Sequence, residues 1–377
     1  MRISALSLSA CLIISPAFAL DVYDDNVNLL SVGGHAGIGF ANTGGDNALV
    51  DSSSRVRFHF ARQMRNGWQS EALMEWGFNL VDSGTKLQTN GDSFQSIREG
   101  DFLFSRQGFL AFSHESYGRF SAGKQWSVYY DVAGITDYFI FTGGLASGTY
   151  NFDSDGGLSG TGRADNALQY RNSVAGLKIG LQYQAKGEGT ISVICDPETT
   201  VTPCDELDAL SVDYDDSWGL SLVYPFYDFS IGVAYNRGDF ESSRAGKGKD
   251  EAWIVGFSYG ELYRPGAFLA LNYADSENHE IDHQNVPYDA NGYELMFGYT
   301  FAGDATLVAG LNRLESSDSA YEEVNGDYLK NLYVIGVHYQ WGSQLRVFAE
   351  IKIDDSEFGF EKTSEENLYG VGARYFF

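Results

Sequence analysis

Residues His279-Glu280-Ile281-Asp282-His283 carry the H-E-x-x-H spacing of zinc hydrolases. That chemistry needs a helix, so that imidazoles four residues apart share a face, and it needs a third ligand. The flanks, Ala274-Asp275-Ser276-Glu277-Asn278 and Gln284-Asn285-Val286-Pro287, read instead as a loop between strands. A solvated loop is expected there, without zinc. Asn151, Asp153, Asp155 and Gly156 open like a calcium-binding loop, but its twelfth position holds Gly162 where a bidentate glutamate is required. A hydrated acidic turn is the expectation. Cys195 and Cys204 stand close together in a polar stretch, and in an exported chain such a pair suggests a small loop disulfide. The chain has no C-x-x-C pair and no Gly-rich phosphate loop, and its 6 histidines are scattered. No catalytic residues, cofactor or metal are expected, and the reading is that of a non-enzyme.

The elements that would position these residues are strands. Arg2, the apolar stretch 3–15 and Pro16-Ala17-Phe18-Ala19 have the form of an export signal, so residues 1–19 are expected to be removed and 20–377 to form one domain. The chain has 25 Lys+Arg against 51 Asp+Glu, a formal charge of −26, which excludes the basic footprint of a nucleic-acid binder. Beyond the signal no apolar run approaches the length of a membrane helix, and the mean hydropathy is −0.23. Strict alternation reconciles these facts with a membrane. Leu177, Ile179, Leu181, Tyr183 and Ala185 alternate with Lys178, Gly180, Gln182 and Gln184. Tyr293-Leu295-Phe297-Tyr299, Phe229-Ile231-Val233-Tyr235 and Tyr369-Val371-Ala373-Tyr375-Phe377 repeat the pattern. A strand of about ten residues crosses a bilayer core when tilted, and alternation averages its hydropathy away.

Aromatic residues gather at the ends of the apolar faces, as in the girdles of a transmembrane barrel. Glycines at polar-face positions (Gly180, Gly232, Gly298, Gly336, Gly372) suggest room inside it. Short links alternate with long ones over 42–52, 82–101, 126–163, 187–207, 237–250, 275–289, 315–327 and 354–366. Seven short turns and eight loops imply an all-β, antiparallel transmembrane barrel of about sixteen strands, wide enough for an aqueous channel. Acids in 315–327 and 354–366 suit external loops that bridge to anionic lipid headgroups, including lipopolysaccharide, through divalent cations.

Specific stretches resemble general trimeric porins of the Gram-negative outer membrane. Arg106 to Phe112, Tyr117 to Gln125, then Tyr130-Asp131 through Thr136-Asp137 and Gly143-Gly144 are similar to the family's fourth and fifth strands and third loop. Ala167 to Ser173 resembles its sixth strand, and Phe377 its terminal aromatic. The resemblance implies a homotrimer of sixteen-stranded barrels whose third loop folds into the pore. It places Arg55, Arg106 and Arg171 on a basic wall facing Asp137 on that loop, with Arg57, His59, Asp131 and Phe141 as secondary constriction residues. Where the family has Pro-Glu-Phe-Gly-Gly, this chain reads Ile140-Phe141-Thr142-Gly143-Gly144, and the usual first-strand lysine has no counterpart near Val32. The constriction is therefore expected to be less acidic and more apolar, through Phe139, Ile140 and Phe141.

The expected activity is passive diffusion of ions and small hydrophilic solutes, filtered by size and charge. A sugar-selective channel is the alternative, with Trp126, Tyr129, Tyr130, Tyr138, Phe139 and Phe141 as stacking surfaces; a surface-enzyme barrel is a third reading. Trimer contacts are expected on the first strands, where Gly33, Gly34, Ala36, Gly37 and Gly39 would admit a close neighbour.

Overall fold

The structure, a computed structural model, describes residues 19–81, 102–151, 155–191, 210–242, 246–282 and 286–377. Sixteen antiparallel staves follow one another round a closed barrel. They are β1 (Asn28–Thr43), β2 (Asp46–Asp51 with Arg55–Gln63), β3 (Trp68–Phe78), β4 (Leu103–His114), β5 (Gly118–Trp126) and β6 (Arg163–Val174). Next come β7 (Leu177–Gln184 with Gly187–Ile191), β8 (Leu210–Tyr214 with Ser217–Phe226), β9 (Phe229–Ser242), β10 (Gly246–Tyr259) and β11 (Gly266–Ile281). The last are β12 (Pro287–Thr300), β13 (Ala305–Ser316), β14 (Tyr328–Trp341), β15 (Leu345–Asp354) and β16 (Leu368–Phe376). Closure is made by β1 against β16, in register from His35↔Phe376 to Thr43↔Leu368. A short N-terminal strand, Leu20–Asp24, pairs with β1 below the point where β16 ends. Closing the sheet leaves no long unpaired edge, which a bilayer would not tolerate.

Alternation sets the two faces. Leu181, Ile231, Val255, Phe297, Ile335 and Val371 are exposed and form the lipid-facing surface, while Gln182, Asn272, Glu294, Glu350 and Arg106 are buried on the other side. The short turns close through left-handed backbone conformations, which glycine and asparagine adopt readily. Ala175-Gly176 and Asn66-Gly67 both have positive φ, the geometry of a tight hairpin.

Several connections are shorter than the sequence suggests. Residues 46–51 pair with Ile38–Thr43 through a turn at Gly44-Gly45, so 42–52 is strand rather than loop. Residues 237–242 and 246–251 are likewise paired extensions of β9 and β10, with Arg237 opposite Glu251, Asp239 opposite Lys249 and Glu241 opposite Lys247. Opposite charges facing each other across a ladder favour pairing, and a polar alternation carries a strand beyond the apolar zone. β11 and β12 extend into 275–289 in the same way.

The small residues of β1 divide between the faces. Gly33, Gly37 and Gly39 alternate with the exposed Ile38 and Phe40 and so point inward; only Gly34 and Ala36 point outward. The expected five-residue contact surface is reduced to those two. Cys195 and Cys204 lie outside the described residues.

Candidate functional site

The connection between β5 and β6 opens with a short helix, α1 (Tyr130–Ala133), and lies against the polar face of the wall. Its apolar side chains rest on inward-facing glycines. Val128 sits against Gly180 of β7 and Gly219 of β8, and Val132 against Gly232 of β9 and Gly256 of β10. Phe139 covers Gly310 of β13, and Phe141 covers Gly39 of β1 and Gly370 of β16. A Cβ added at Gly310 would stand 2.5 Å from the Phe139 ring, and one at Gly370 2.3 Å from that of Phe141. The glycines expected to leave open room are therefore seats already filled. Gly298 receives Leu262, Gly336 lies against Glu350, and Gly372 against Phe348.

Polar wall groups fasten the backbone of the same segment. The Glu350 carboxylate accepts the N–H of Ile140 at 2.8 and 2.9 Å and that of Phe141 at 2.8 Å. Glu294 accepts the N–H of Ala146 at 2.9 Å and bonds the Thr136 hydroxyl. Asn272 donates to the Ala133 carbonyl at 2.8 Å, Asn236 to Ser159 at 2.8 Å, and Gln182 to Gly160 at 2.8 Å. His279 is fully buried, with Nδ1 2.6 Å from Asp250 and Nε2 2.7 Å from the Gly148 carbonyl. It lies in the extended β11, so it is not on the helix a zinc hydrolase needs, and His283 lies outside the described residues. Asp155 pairs with Lys124 at 2.9 Å and Arg163 at 3.1 Å, cations standing where a calcium loop would hold its ion; Asp153 lies outside the described residues. Burial works to raise the Asp155 pKa, but these two cations outweigh it and hold it down at about 2. Burial pushes the Tyr138 hydroxyl up to about 12.

Sequence reasoning did not single out Glu294 or Glu350. Their signal was parity: each is an acid on the inward face of a stave whose outward face is mostly apolar at that level. A buried carboxylate needs partners; here the partners are backbone N–H groups of a distant segment.

Each of the residues expected on a basic wall has a local partner. Arg57 and Arg106 share the buried Glu75, at 2.6 and 2.9 Å. The Arg106 side chain is 0 % exposed. Arg171 binds Asp131 at 3.0 Å and the carbonyls of Trp126 and Ser127 at 3.1 and 3.0 Å, so Asp131 fastens the segment to β6. Arg55 donates to Ser53, and His59 lies 3.7 Å from Glu71. Asp137 accepts hydroxyls from Tyr130 at 2.9 Å and Tyr150 at 2.7 Å.

Phe139, Ile140 and Phe141 depart from expectation. All three are buried against the wall and so anchor the segment rather than present an apolar lining. Tyr129 is buried too, so three of the six residues considered for sugar stacking offer no free ring face. Trp126 and Tyr130 stack on each other at 3.9 Å.

Comparison with known proteins agrees with this architecture. The model of the Gram-negative porin family matches residues 9–359. Outer membrane porin N of Escherichia coli is 25% identical over 406 residues, covering 100% of this chain and 99% of that protein. Outer membrane porin PhoE of Klebsiella oxytoca is 26% identical over 394 residues, covering 99% and 98%. Among solved structures, OmpF of Salmonella typhi in complex with daunomycin superposes with a TM-score of 0.71 at 18% identity, covering 95% of this chain and 100% of that one. An anion-selective porin from Comamonas acidovorans gives 0.64 at 13%, covering 93% and 100%. With an alternating apolar exterior, a closed ring of sixteen staves and a family match over nearly the whole chain, this protein belongs to the Gram-negative porins.

Proposed function

We propose that the chain is a passive diffusion channel for ions and small hydrophilic solutes across the outer membrane, with the described residues of the 127–162 segment (127–151 and 155–162) forming its narrow zone. The observation that carries this is the line of seats and anchors, from Gly180 on β7 round to Gly39 on β1, holding that segment on the lumen face. The basic side of that zone is supplied by Arg55, Arg57 and His59 of β2, none of them fully buried, and by Arg171 of β6, which itself holds the segment through Asp131. A solute would pass between this basic side and the segment's Asp137. A field between low-dielectric walls is stronger there than in bulk water. The overall charge of −26 favours cations at a distance, and the basic wall counteracts this close in.

On this reading residues 1–19 are the export signal, the working unit is a homotrimer, and the acidic outer connections meet lipopolysaccharide through divalent cations. Gly34 and Ala36 are the outward residues that suit a close neighbour. Sugar selectivity has weaker support, because half of the candidate stacking rings are buried. Liposome swelling tests the reading. Uptake that falls smoothly with solute size across sugars and amino acids fits a general channel. Saturable uptake with block by one oligosaccharide would favour a sugar-selective one.

A further inference from the structure

The link between β10 and β11 lies at the mouth of the short turns, yet it does not stay outside. Leu262 is buried in a cluster with Phe139 of the 127–162 segment and with Phe268, Met296, Val308 and Val334 from the inward faces of β11 to β14. Its Cδ1 stands where a Cβ on Gly298 would be 2.3 Å away. Gly298 faces inward, since Phe297 and Tyr299 on either side are exposed. The next residue, Tyr263, reaches further round the wall. Its hydroxyl is 2.9 Å from Nδ1 of His338 on β14, and the Arg346 guanidinium of β15 stacks 3.8 Å over its ring. His338 in turn places Nε2 2.8 Å from Glu350, the carboxylate that holds Ile140 and Phe141. One continuous chain of contacts therefore joins the turn to the tip of the 127–162 segment.

By contrast, Tyr227, in the turn between β8 and β9 at the same mouth, is 101% exposed. An apolar residue and a ring that could sit in that position have instead been drawn into the barrel. Burial of a Leu side chain is favourable, so the inward course is held by packing as well as by the hydrogen bond.

We infer that the 260–265 turn is a second part of the constriction, entering from the turn-side mouth, with Tyr263 as its solute-facing residue. It fills the sector in front of β11 to β15 and confines the conducting path to the arginine side. Tyr263 also acts as a positioning residue, because it fixes His338 and through it Glu350. This rests on the channel reading above.

The test uses full-length protein with Cys195 and Cys204 replaced by serine and a single new cysteine, Tyr263→Cys, in planar bilayers. A negatively charged and a positively charged methanethiosulfonate are applied in turn from the turn-side mouth, with modification checked by mass spectrometry. Both reagents are expected to lower single-channel conductance, and to shift the reversal potential in opposite directions. Tyr227→Cys is expected to be modified without either change. Modification of Tyr263→Cys that leaves conductance unaltered, or failure of the folded channel to react, overturns the inference. If Tyr263→Cys does not assemble, the unaltered protein gives a second answer. A polyethylene glycol that enters the loop-side vestibule is expected to depress conductance less when added only on the turn side; an equal or larger effect from the turn side overturns the inference. A parent protein that does not conduct at all would instead refute the channel reading.

Discussion

Replacing Glu350 by alanine tests how the narrow zone is held. The carboxylate accepts the N–H groups of Ile140 and Phe141 and is itself 1% exposed. Without it, two buried donors lose their acceptor, at about 1–3 kcal/mol each. The loss against the seated position is then about 2–6 kcal/mol. Because about 1.4 kcal/mol corresponds to a factor of ten, even the lower end raises the population of the detached tip about 30-fold. Phe139 and Phe141 keep their glycine seats, so the segment stays in the barrel and fluctuates. The assay is single-channel recording at fixed voltage. Glu350→Ala is expected to show a noisier open state with brief excursions in current, and Glu350→Gln, which keeps one acceptor oxygen, a smaller effect. An open state as quiet as the wild type, at unchanged conductance, would refute the anchoring role.

Selectivity provides a second check. Arg171→Ala and Arg106→Ala are each expected to increase cation preference and Asp137→Ala to decrease it, read as reversal potential under a salt gradient. The shifts are expected to shrink between 0.1 M and 1 M salt, as the Debye length falls from about 10 Å to about 3 Å; shifts of one sign for all three variants would contradict the eyelet. Gly256→Val places bulk where Val132 and Ile135 already lie within 3 Å of a notional Cβ. It is expected to push α1 off the wall and change conductance without loss of assembly, and unaltered conductance would count against the glycine seats. Cys195 and Cys204 are expected to be bonded, so a thiol reagent applied to unfolded, unreduced protein finds no free group; stoichiometric labelling would show the pair to be open.

The barrel was legible because a stave has only two faces, and alternation marks them residue by residue. Leu177 to Gln184 and Tyr293 to Thr300 are read correctly from period two alone. Strand ends were less legible. The stretches 42–52 and 237–250 look like polar loops, but cross-strand pairing, invisible in a linear pattern, makes ladders of 38–43 with 46–51 and of 237–242 with 246–251, the second helped by opposite charges facing each other. Among the constriction residues expected from family resemblance, the sequence did not reveal that Glu75 lies between Arg57 and Arg106. Phe139, Ile140 and Phe141 were misread as lining because a loop carries no periodicity to show which side chains turn outward to the wall. The inward course of Leu262 and Tyr263 depends on partners from β12 to β15, and a turn sequence by itself does not specify them.

The central claim is that this barrel encloses an open aqueous path bounded by the 127–162 segment and the arginine wall. Single-channel recording of the purified wild-type protein in planar bilayers under a salt gradient addresses it directly. The account predicts stepwise insertion of channels with near-linear conductance at low voltage and a modest cation preference that weakens at high salt. Insertion of folded protein without conductance, or strong anion preference at low salt, would contradict it.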